Sequence, residues 1–255
     1  MCLLPGNCLS RDNLPRVHIG GLGRYLACPG SDQLKFLSYN LLKHKAFDEL
    51  EGIVRKYSPD ALCLQEANVF ALPAEIGNLR LAVATEKNRL GLAIYLNRTH
   101  GLEAADSFRL KDATYDRIAS PAHERLLGVS ARHGITGEKF TVGSFHASPL
   151  TALNSVRRTQ IRQGLEKLEV LGRGAPLMML GDFNYPIFRN RLERELLAAD
   201  AKLYTSDRRT YKSYGVVRGF FDFAAGRNME LQWMRTLKKG VSDHLPVLLR
   251  ASFGD

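Results

Sequence analysis

A handful of polar residues in this chain could gather to do chemistry: Asn40, Glu66, His146, Asp182 with Asn184, Asp222, and Asp243 with His244. Carboxylates suit a hard cation, carboxamides can bond phosphate oxygens, and imidazoles can carry protons and charge near neutrality. Together they fit metal-assisted attack of water on a phosphoester. The stretch Pro176–Pro186 is the most informative. Leu177-Met178-Met179-Leu180 reads as a strand buried on both faces. It stops at Gly181. An extended backbone beyond it would point Asp182 and Asn184 to one side, with Phe183 opposite. Pro186 then ends the ladder. Taken alone, the same residues also fit an Asp/Asn turn after a core strand.

The other candidates also sit near the ends of expected elements. Leu34–Tyr39 reads as a strand that ends at Asn40. Ala46–Tyr57 carries Phe47, Leu50, Val54 and Tyr57 at helical spacing, and Ser58-Pro59-Asp60 breaks it. Ala61–Leu64 is a second buried strand, ending at Gln65-Glu66. Residues 79–85 with 90–96, and 126–132 with 140–145, read as strand pairs, the second ending at His146; residues 98–123 are too polar to place. Asn154 or Ser155 is expected to cap a helix with Ile161, Leu165 and Leu168 inward, closed by Gly172 and Gly174. A basic-acidic helix is expected over Arg189–Ala199, and last strands over Val216–Phe223 and Leu245–Ala251. Strand pairs mixed with strand–helix–strand units predict a layered α/β architecture, two sheets packed together with helices outside. In such a layout strand ends share an edge, and ligands bind there.

The motifs S-Y-N (38–40), L-Q-E (64–66), S-F-H (144–146), G-D-F-N (181–184), F-D-F (221–223) and S-D-H (242–244) resemble, in order and spacing, those of the endonuclease/exonuclease/phosphatase superfamily. The resemblance covers roughly residues 34–252. It implies a four-layer α/β sandwich of two mixed, mainly antiparallel sheets packed face to face, with helices outside. It implies a Mg²⁺-dependent (or Mn²⁺-dependent) phosphoesterase. Glu66 then resembles the principal metal ligand, with Asn40 and Asp243 beside it. Asp182 resembles the group that positions and deprotonates the attacking water, and Asn184 a phosphate contact. His244 would stabilise charge on the phosphoryl oxygens, held by Asp222, with His146 a second phosphate contact. Arg125, in His123-Glu124-Arg125, resembles a basic residue that touches phosphate. Two positions depart from the pattern. Leu42 stands where abasic endonucleases carry an acid or amide, and Phe223 where a tyrosine is usual.

The chain has 255 residues, enough for one large domain, and we expect a single catalytic domain over 34–255 after a leader or flexible extension at 1–33. Composition is that of a soluble globular protein, with no apolar run long enough to span a membrane. The N-terminal stretch lacks the pattern of a secretory signal; a weak organelle transit reading stays open. Cys2, Cys8, Cys28 and Cys63 match no zinc spacing, and Cys63 lies in an apolar run, so the expected compartment is a reducing cytoplasm. The protein is expected to be a monomer. Lys and Arg number 36 against 26 Asp and Glu, a formal charge of +10 that favours a polyanionic partner. Arg157, Arg158, Arg162, Arg189, Arg191, Arg208, Arg209, Lys212 and Arg218, interleaved with Tyr204, Tyr211 and Tyr214, are expected at the rim, where they suit nucleic acid. The same side chains also fit solvated helix faces and core tyrosines. A nuclease is therefore the preferred reading, with a phosphomonoesterase or a sphingomyelin or phosphoinositide phosphoesterase as the alternative. A catalytically silent nucleic-acid-binding protein is a third reading. It predicts loss of Glu66, Asp182 or His244, and all three are present.

Overall fold

The computed structural model describes residues 33–254 except 87, 89, 113–123 and 214–216. The expected leader, with Cys2, Cys8 and Cys28, lies outside the described residues, as do His123 and Tyr214. In chain order the elements are β1 (Gln33–Asn40), α1 (Leu50–Tyr57), β2 (Ala61–Ala67), β3 (Glu75–Ile76), β4 (Leu79–Ala84), β5 (Gly91–Asn97), β6 (Gly101–Phe108), β7 (Leu126–Arg132) and β8 (Lys139–His146). They continue as α2 (Asn154–Gly172), β9 (Leu177–Asp182), α3 (Arg189–Leu197), β10 (Lys202–Thr205), β11 (Tyr211–Ser213), β12 (Val217–Gly219), β13 (Asp222–Arg227), β14 (Met229–Thr236) and β15 (Val247–Phe253).

One sheet has the order β14-β15-β1-β2-β5-β4-β3 and the other β10-β13-β9-β8-β7-β6, while β11 and β12 form a separate ribbon. Each large sheet holds one parallel pair at its centre, β1 with β2 across α1 and β8 with β9 across α2; the other pairings are antiparallel. A parallel pair places two strand C-termini side by side. In the first sheet that puts Asn40 opposite Gln65, and in the second His146 opposite Asp182. The two crossovers thus bring four motif ends to one edge of the sandwich.

Alternation along the strands divides the core. Phe36, Cys63, Ile94, Val129, Phe140, Met178, Leu180 and Leu249 fill the space between the sheets. Leu37, Tyr39, Leu62 and Leu64 face outward onto Leu50 and Val54 of α1. Phe145, Met179, Phe183 and Phe223 face outward onto Ile161, Leu165 and Leu168 of α2 and Leu192 and Leu196 of α3. The layers therefore run helix, sheet, sheet, helices. Each fully buried Leu or Phe side chain contributes roughly 1.5–3 kcal/mol.

Several local expectations need correction. The segment expected to start a helix at Ala46 first makes a short 3₁₀ turn, Phe47–Glu49, before α1. Leu153 occupies the cap of α2 with no side-chain capping bond, and the Asn154 carboxamide instead accepts from the Arg157 guanidinium. The segment expected as one strand over Val216–Phe223 is two strands, and Asp222 opens β13 rather than closing a strand. β6, β10 and β14 escape prediction because they are edge strands: β6 is mostly exposed, and charged residues break the apolar alternation of β14.

Candidate active site

Beneath the shared edge a buried polar layer joins the sheets. The Ser38 hydroxyl donates to Gln65 Oε1 (3.4 Å), Gln65 Nε2 donates to Ser144 Oγ (3.1 Å), and that hydroxyl donates to the Leu64 carbonyl (2.9 Å). These are the inner residues of S-Y-N, L-Q-E and S-F-H. Their bonds hold the two parallel pairs in register, so the outer residues of the same motifs meet above them.

Asp182 is the meeting point. Asn40 Nδ2 reaches across from the other sheet to its Oδ2 (3.3 Å). His146 Nε2 and His244 Nε2 lie 3.6 Å and 3.7 Å from that oxygen, electrostatic contact rather than a hydrogen bond. Gly181 allows the approach. Its φ is +145°, and a Cβ there would fall 1.9 Å from the Phe145 carbonyl oxygen. Burial pushes the Asp182 carboxyl above the usual carboxylate range; His244 and His146 oppose this, and Asp222 adds to it. Asn184 does not continue an extended backbone. Its φ is +46°, its N–H donates to Asp182 Oδ1 (2.9 Å), and its Nδ2 donates to the Ala147 carbonyl (3.3 Å). The Asp/Asn turn and the polar site are therefore the same structure, and the turn fixes the carboxylate.

His244 is held on both sides. Its Nδ1 lies 2.8 Å from Asp222 Oδ2, and Asp222 pairs opposite Asp182 in the β13–β9 ladder. Burial works against charge on the imidazole, yet Asp222 and Asp182 outweigh it, and His244 is pushed up to about 10. That favours Nδ1–H donating to Asp222 and leaves Nε2–H for the site. The Ser242 hydroxyl donates to the Asn40 carbonyl (2.7 Å) and accepts the His244 N–H (3.1 Å), tying the last loop to β1. Asp243 is half-buried beside His244, and its charge reaches both that imidazole and Tyr39.

Glu66 is presented differently. Its φ is +54°, within a bulge that shifts the β2–β5 register after Leu64. A left-handed turn at Leu42, Lys43 and His44 (φ 48°, 56° and 70°) folds over it. Lys43 N–H donates to Glu66 Oε2 (2.9 Å), and His44 N–H to the Glu66 carbonyl (2.8 Å). Left-handed backbone costs roughly 1–2 kcal/mol for each non-glycine residue, so this turn persists only because its surroundings hold it.

The donor set can be tested against a cation. Among the described residues no three His, Cys, Asp or Glu side chains gather as a cage. Zinc would need such a set, whereas Mg²⁺ takes one or two carboxylates and keeps its waters. The half-buried carboxylates of Glu66 and Asp243 are of the kind that Mg²⁺ or Mn²⁺ takes, and Asn40 ends the strand paired with the one that carries Glu66.

The remaining expectations separate. Arg125 is buried, and its Nη1 donates to the His146 carbonyl (3.1 Å), so it braces the strand end that carries that imidazole. Within the expected rim, Arg157 is buried against the Pro149 carbonyl, Arg158 bonds Tyr185 Oη and Glu195, and Arg162 faces Glu166. Tyr204 packs against the inter-sheet core and donates to the Met229 carbonyl. Arg157, Arg158 and Tyr204 are therefore scaffold, whereas Arg162 is exposed. Arg189, Arg209, Lys212 and Arg218 stay exposed. Sequence reasoning read Tyr211 only as a rim tyrosine and overlooked Thr210 and Glu49 as supports. The Tyr211 ring packs 4.8 Å from that of His244. Thr210 Oγ1 accepts the Phe221 and Asp222 N–H groups (both 3.1 Å). Glu49 accepts from Tyr39 Oη (2.9 Å) and Val241 N–H (2.5 Å), anchoring the S-D-H loop. Only Ser242, two residues before His244, carried a local signal, that of a serine turn.

Comparison with known proteins agrees with this fold. The model of the Endonuclease/Exonuclease/phosphatase family matches residues 37–244. The human Nocturnin catalytic domain with bound sulfate superposes with a TM-score of 0.68 at 16% identity, covering 87% of this chain and 95% of that one. A mannosyl-6-phosphatase from Bacteroides thetaiotaomicron gives 0.67 at 16% identity, covering 86% and 100%. TDP2 from D. rerio, complexed with single strand DNA product, gives 0.66 at 17% identity, covering 86% and 99%. No curated protein matches the chain in sequence.

Proposed function

Since the chain belongs to the endonuclease/exonuclease/phosphatase family, whose members are phosphoesterases, we propose that it is a Mg²⁺- or Mn²⁺-dependent phosphodiesterase acting on nucleic acid, its catalytic domain spanning residues 34–255. The observation that carries the chemistry is the Asp182 carboxylate, buried between both sheets with Asn40 at 3.3 Å and two imidazoles at 3.6 and 3.7 Å.

The raised Asp182 carboxyl suits a general base. In the proposed mechanism it accepts the proton of a water that attacks phosphorus in line, while the opposite P–O bond breaks and the departing alkoxide takes a proton from solvent. His244, kept protonated by Asp222, donates from Nε2 to the oxygens where charge develops, and His146 supplies a second donor. Asn184 contacts a phosphate oxygen, and Arg125 acts through His146. Glu66, Asn40 and Asp243 would hold the cation, which when bound neutralises phosphoryl charge as a Lewis acid. The +10 charge and the exposed Arg189, Arg209, Lys212 and Arg218 favour a polyanionic chain.

One observation favours a lipid phosphoester instead. Phe70 (88% exposed), Leu150, Ile187, Phe188 (66%) and Val241 stand exposed on loops adjoining Glu66, His146, Asn184 and Asp243. Leu150, Ile187 and Val241 cannot stack on bases as the two phenylalanines can, whereas all five side chains can enter acyl chains. Purified protein with Mg²⁺, Mn²⁺ or chelator, assayed on plasmid DNA, single strands, RNA, sphingomyelin and phosphoinositides, decides between them. Turnover of nucleic acid alone supports the first reading; turnover of lipids alone rejects it.

A further inference from the structure

The turn over Glu66 runs through three consecutive left-handed residues, none of them glycine. Leucine and lysine do not favour that conformation, and histidine only mildly tolerates it. Three contacts from the turn converge on the segment that carries Glu66. Lys43 N–H reaches Glu66 Oε2 (2.9 Å), His44 N–H reaches the Glu66 carbonyl (2.8 Å), and His44 Nδ1 accepts the Asn68 N–H (3.1 Å). The first two are backbone bonds, available to any residue type. The third depends on one side chain. The His44 ring is itself oriented, stacked on Phe47 with centroids 4.7 Å apart and planes 17° apart. His44 therefore straddles the bulge, bonded to residue 66 by its backbone and to residue 68 by its imidazole.

We propose that His44 is a positioning residue for the metal site: its imidazole latches the left-handed turn to Asn68, and the latched turn holds the Glu66 carboxylate in the orientation that binds the cation. The proposal rests on the reading of Glu66 as the metal ligand. Lys43 N–H occupies one face of Oε2, fixing the carboxylate plane while Oε1 is directed elsewhere. Freed of the latch, the turn relaxes toward ordinary backbone, the Lys43 N–H moves away, and the carboxylate samples other rotamers. The cost falls first on cation affinity, because the turn reaches Asp182 only at second hand, through Asn40, whose Oδ1 accepts the Leu42 N–H (3.1 Å) and whose Nδ2 donates to Asp182 (3.3 Å).

The test measures Mn²⁺ binding by isothermal titration calorimetry, so it reads affinity without turnover. His44→Ala removes the acceptor and is expected to weaken Mn²⁺ binding by about 10–100-fold, the range found when residues supporting a metal ligand are removed. His44→Asn keeps an acceptor near the Nδ1 position and tolerates left-handed backbone, so it is expected to restore most of the affinity. Asn68→Pro attacks the other side of the same bond. Asn68 has φ −77°, which proline accepts, so this change deletes the N–H donor without altering the turn's own sequence. It is expected to match His44→Ala and decides the matter if that variant does not fold. kcat at saturating Mn²⁺ should stay near wild type in both, with the loss confined to the Mn²⁺ concentration required. Wild-type Mn²⁺ affinity in folded Asn68→Pro or His44→Ala overturns the latch. Glu66→Gln separates the two readings. If it too binds Mn²⁺ like wild type, the metal assignment fails; if it loses binding while the latch variants keep it, only the latch fails.

Discussion

The two sheets deliver their halves of the site by opposite means. On the six-stranded sheet, Asp182, His146 and Asp222 lie at the ends of paired strands, and their neighbours in the ladder fix them. Where that half needs unusual backbone beside the carboxylate it uses residues that tolerate it, glycine at Gly181 and asparagine at Asn184. Its groups are buried: burial raises Asp182 against the pull of the two imidazoles, and the Asp222 and Asp182 charges, outweighing burial, hold His244 at about 10. On the seven-stranded sheet, Glu66 is turned out of its ladder by a bulge and clasped by a loop of left-handed leucine, lysine and histidine. Glu66 stays half-buried. Proton transfer and charge stabilisation need dry, fixed groups, whereas a cation that keeps its waters needs an open carboxylate. The contrast therefore follows the chemistry proposed for each half.

If the halves differ in this way, their variants fail differently. The largest effect is expected from Asp182→Asn, which should lower kcat by about 10²–10⁴, the usual worth of a general base, whatever the metal concentration. Its circular dichroism and thermal midpoint should match wild type. Recovery of turnover on adding Mn²⁺ would place Asp182 in the cation half and collapse the distinction. Next comes Gly181→Ala. A Cβ 1.9 Å from the Phe145 carbonyl must push β9 off β8, on a backbone that disfavours alanine. The expected loss is about 3 kcal/mol or more, read from the urea midpoint at unchanged m-value.

The ladder half was also the more legible half in sequence. Leu177–Leu180 ending in Gly181-Asp182 reads as a buried strand because its apolar run and its glycine are local signals. The resemblance of G-D-F-N and S-D-H then implied one site holding both Asp182 and His244, which lie 3.7 Å apart in the structure. The clasp was not legible. Of Leu42, Lys43 and His44 only histidine leans toward left-handed backbone, so propensity does not announce three such residues in a row; contacts made with residues 66 and 68 impose them. The basic rim was half misread for a related reason. Charge in a sequence does not show whether a guanidinium meets solvent or, like Arg157, a carbonyl in the interior. The edge strands β6 and β14 stayed hidden because pairing on one side alone permits polar residues that blur the alternation.

A smaller effect tests the electrostatics of the buried half. The folded pKa of His244, about 10, lies above its ordinary 6.5. Its charged form thus stabilises the fold fully below about pH 6.5, and that contribution is lost as pH rises through about 10. Asp222→Asn removes the first-ranked of the charges that raise it. The alkaline limb of the kcat/KM profile, and of the stability profile, should then move toward neutrality. An alkaline limb that stays in place would show that Asp222 does not set the charge of His244.

The smallest effect bears on the strained half, and its sign is the informative part. Lys43 is exposed, so replacing it with glycine removes no core packing, and its N–H on Glu66 Oε2 is retained. Glycine relieves roughly 1–2 kcal/mol of left-handed strain and adds roughly 0.5–1 kcal/mol of unfolded-state entropy. Lys43→Gly should therefore stabilise the protein by about 0.5–1 kcal/mol, measurable as a higher urea midpoint. The same exchange of glycine for a side chain, run in reverse at Gly181, is strongly destabilising. Opposite signs at two positions flanking one site are what the contrast between clasp and ladder requires. A destabilised Lys43→Gly would mean that the lysine side chain itself holds the turn, and the clasp would then be built from side chains like the other half.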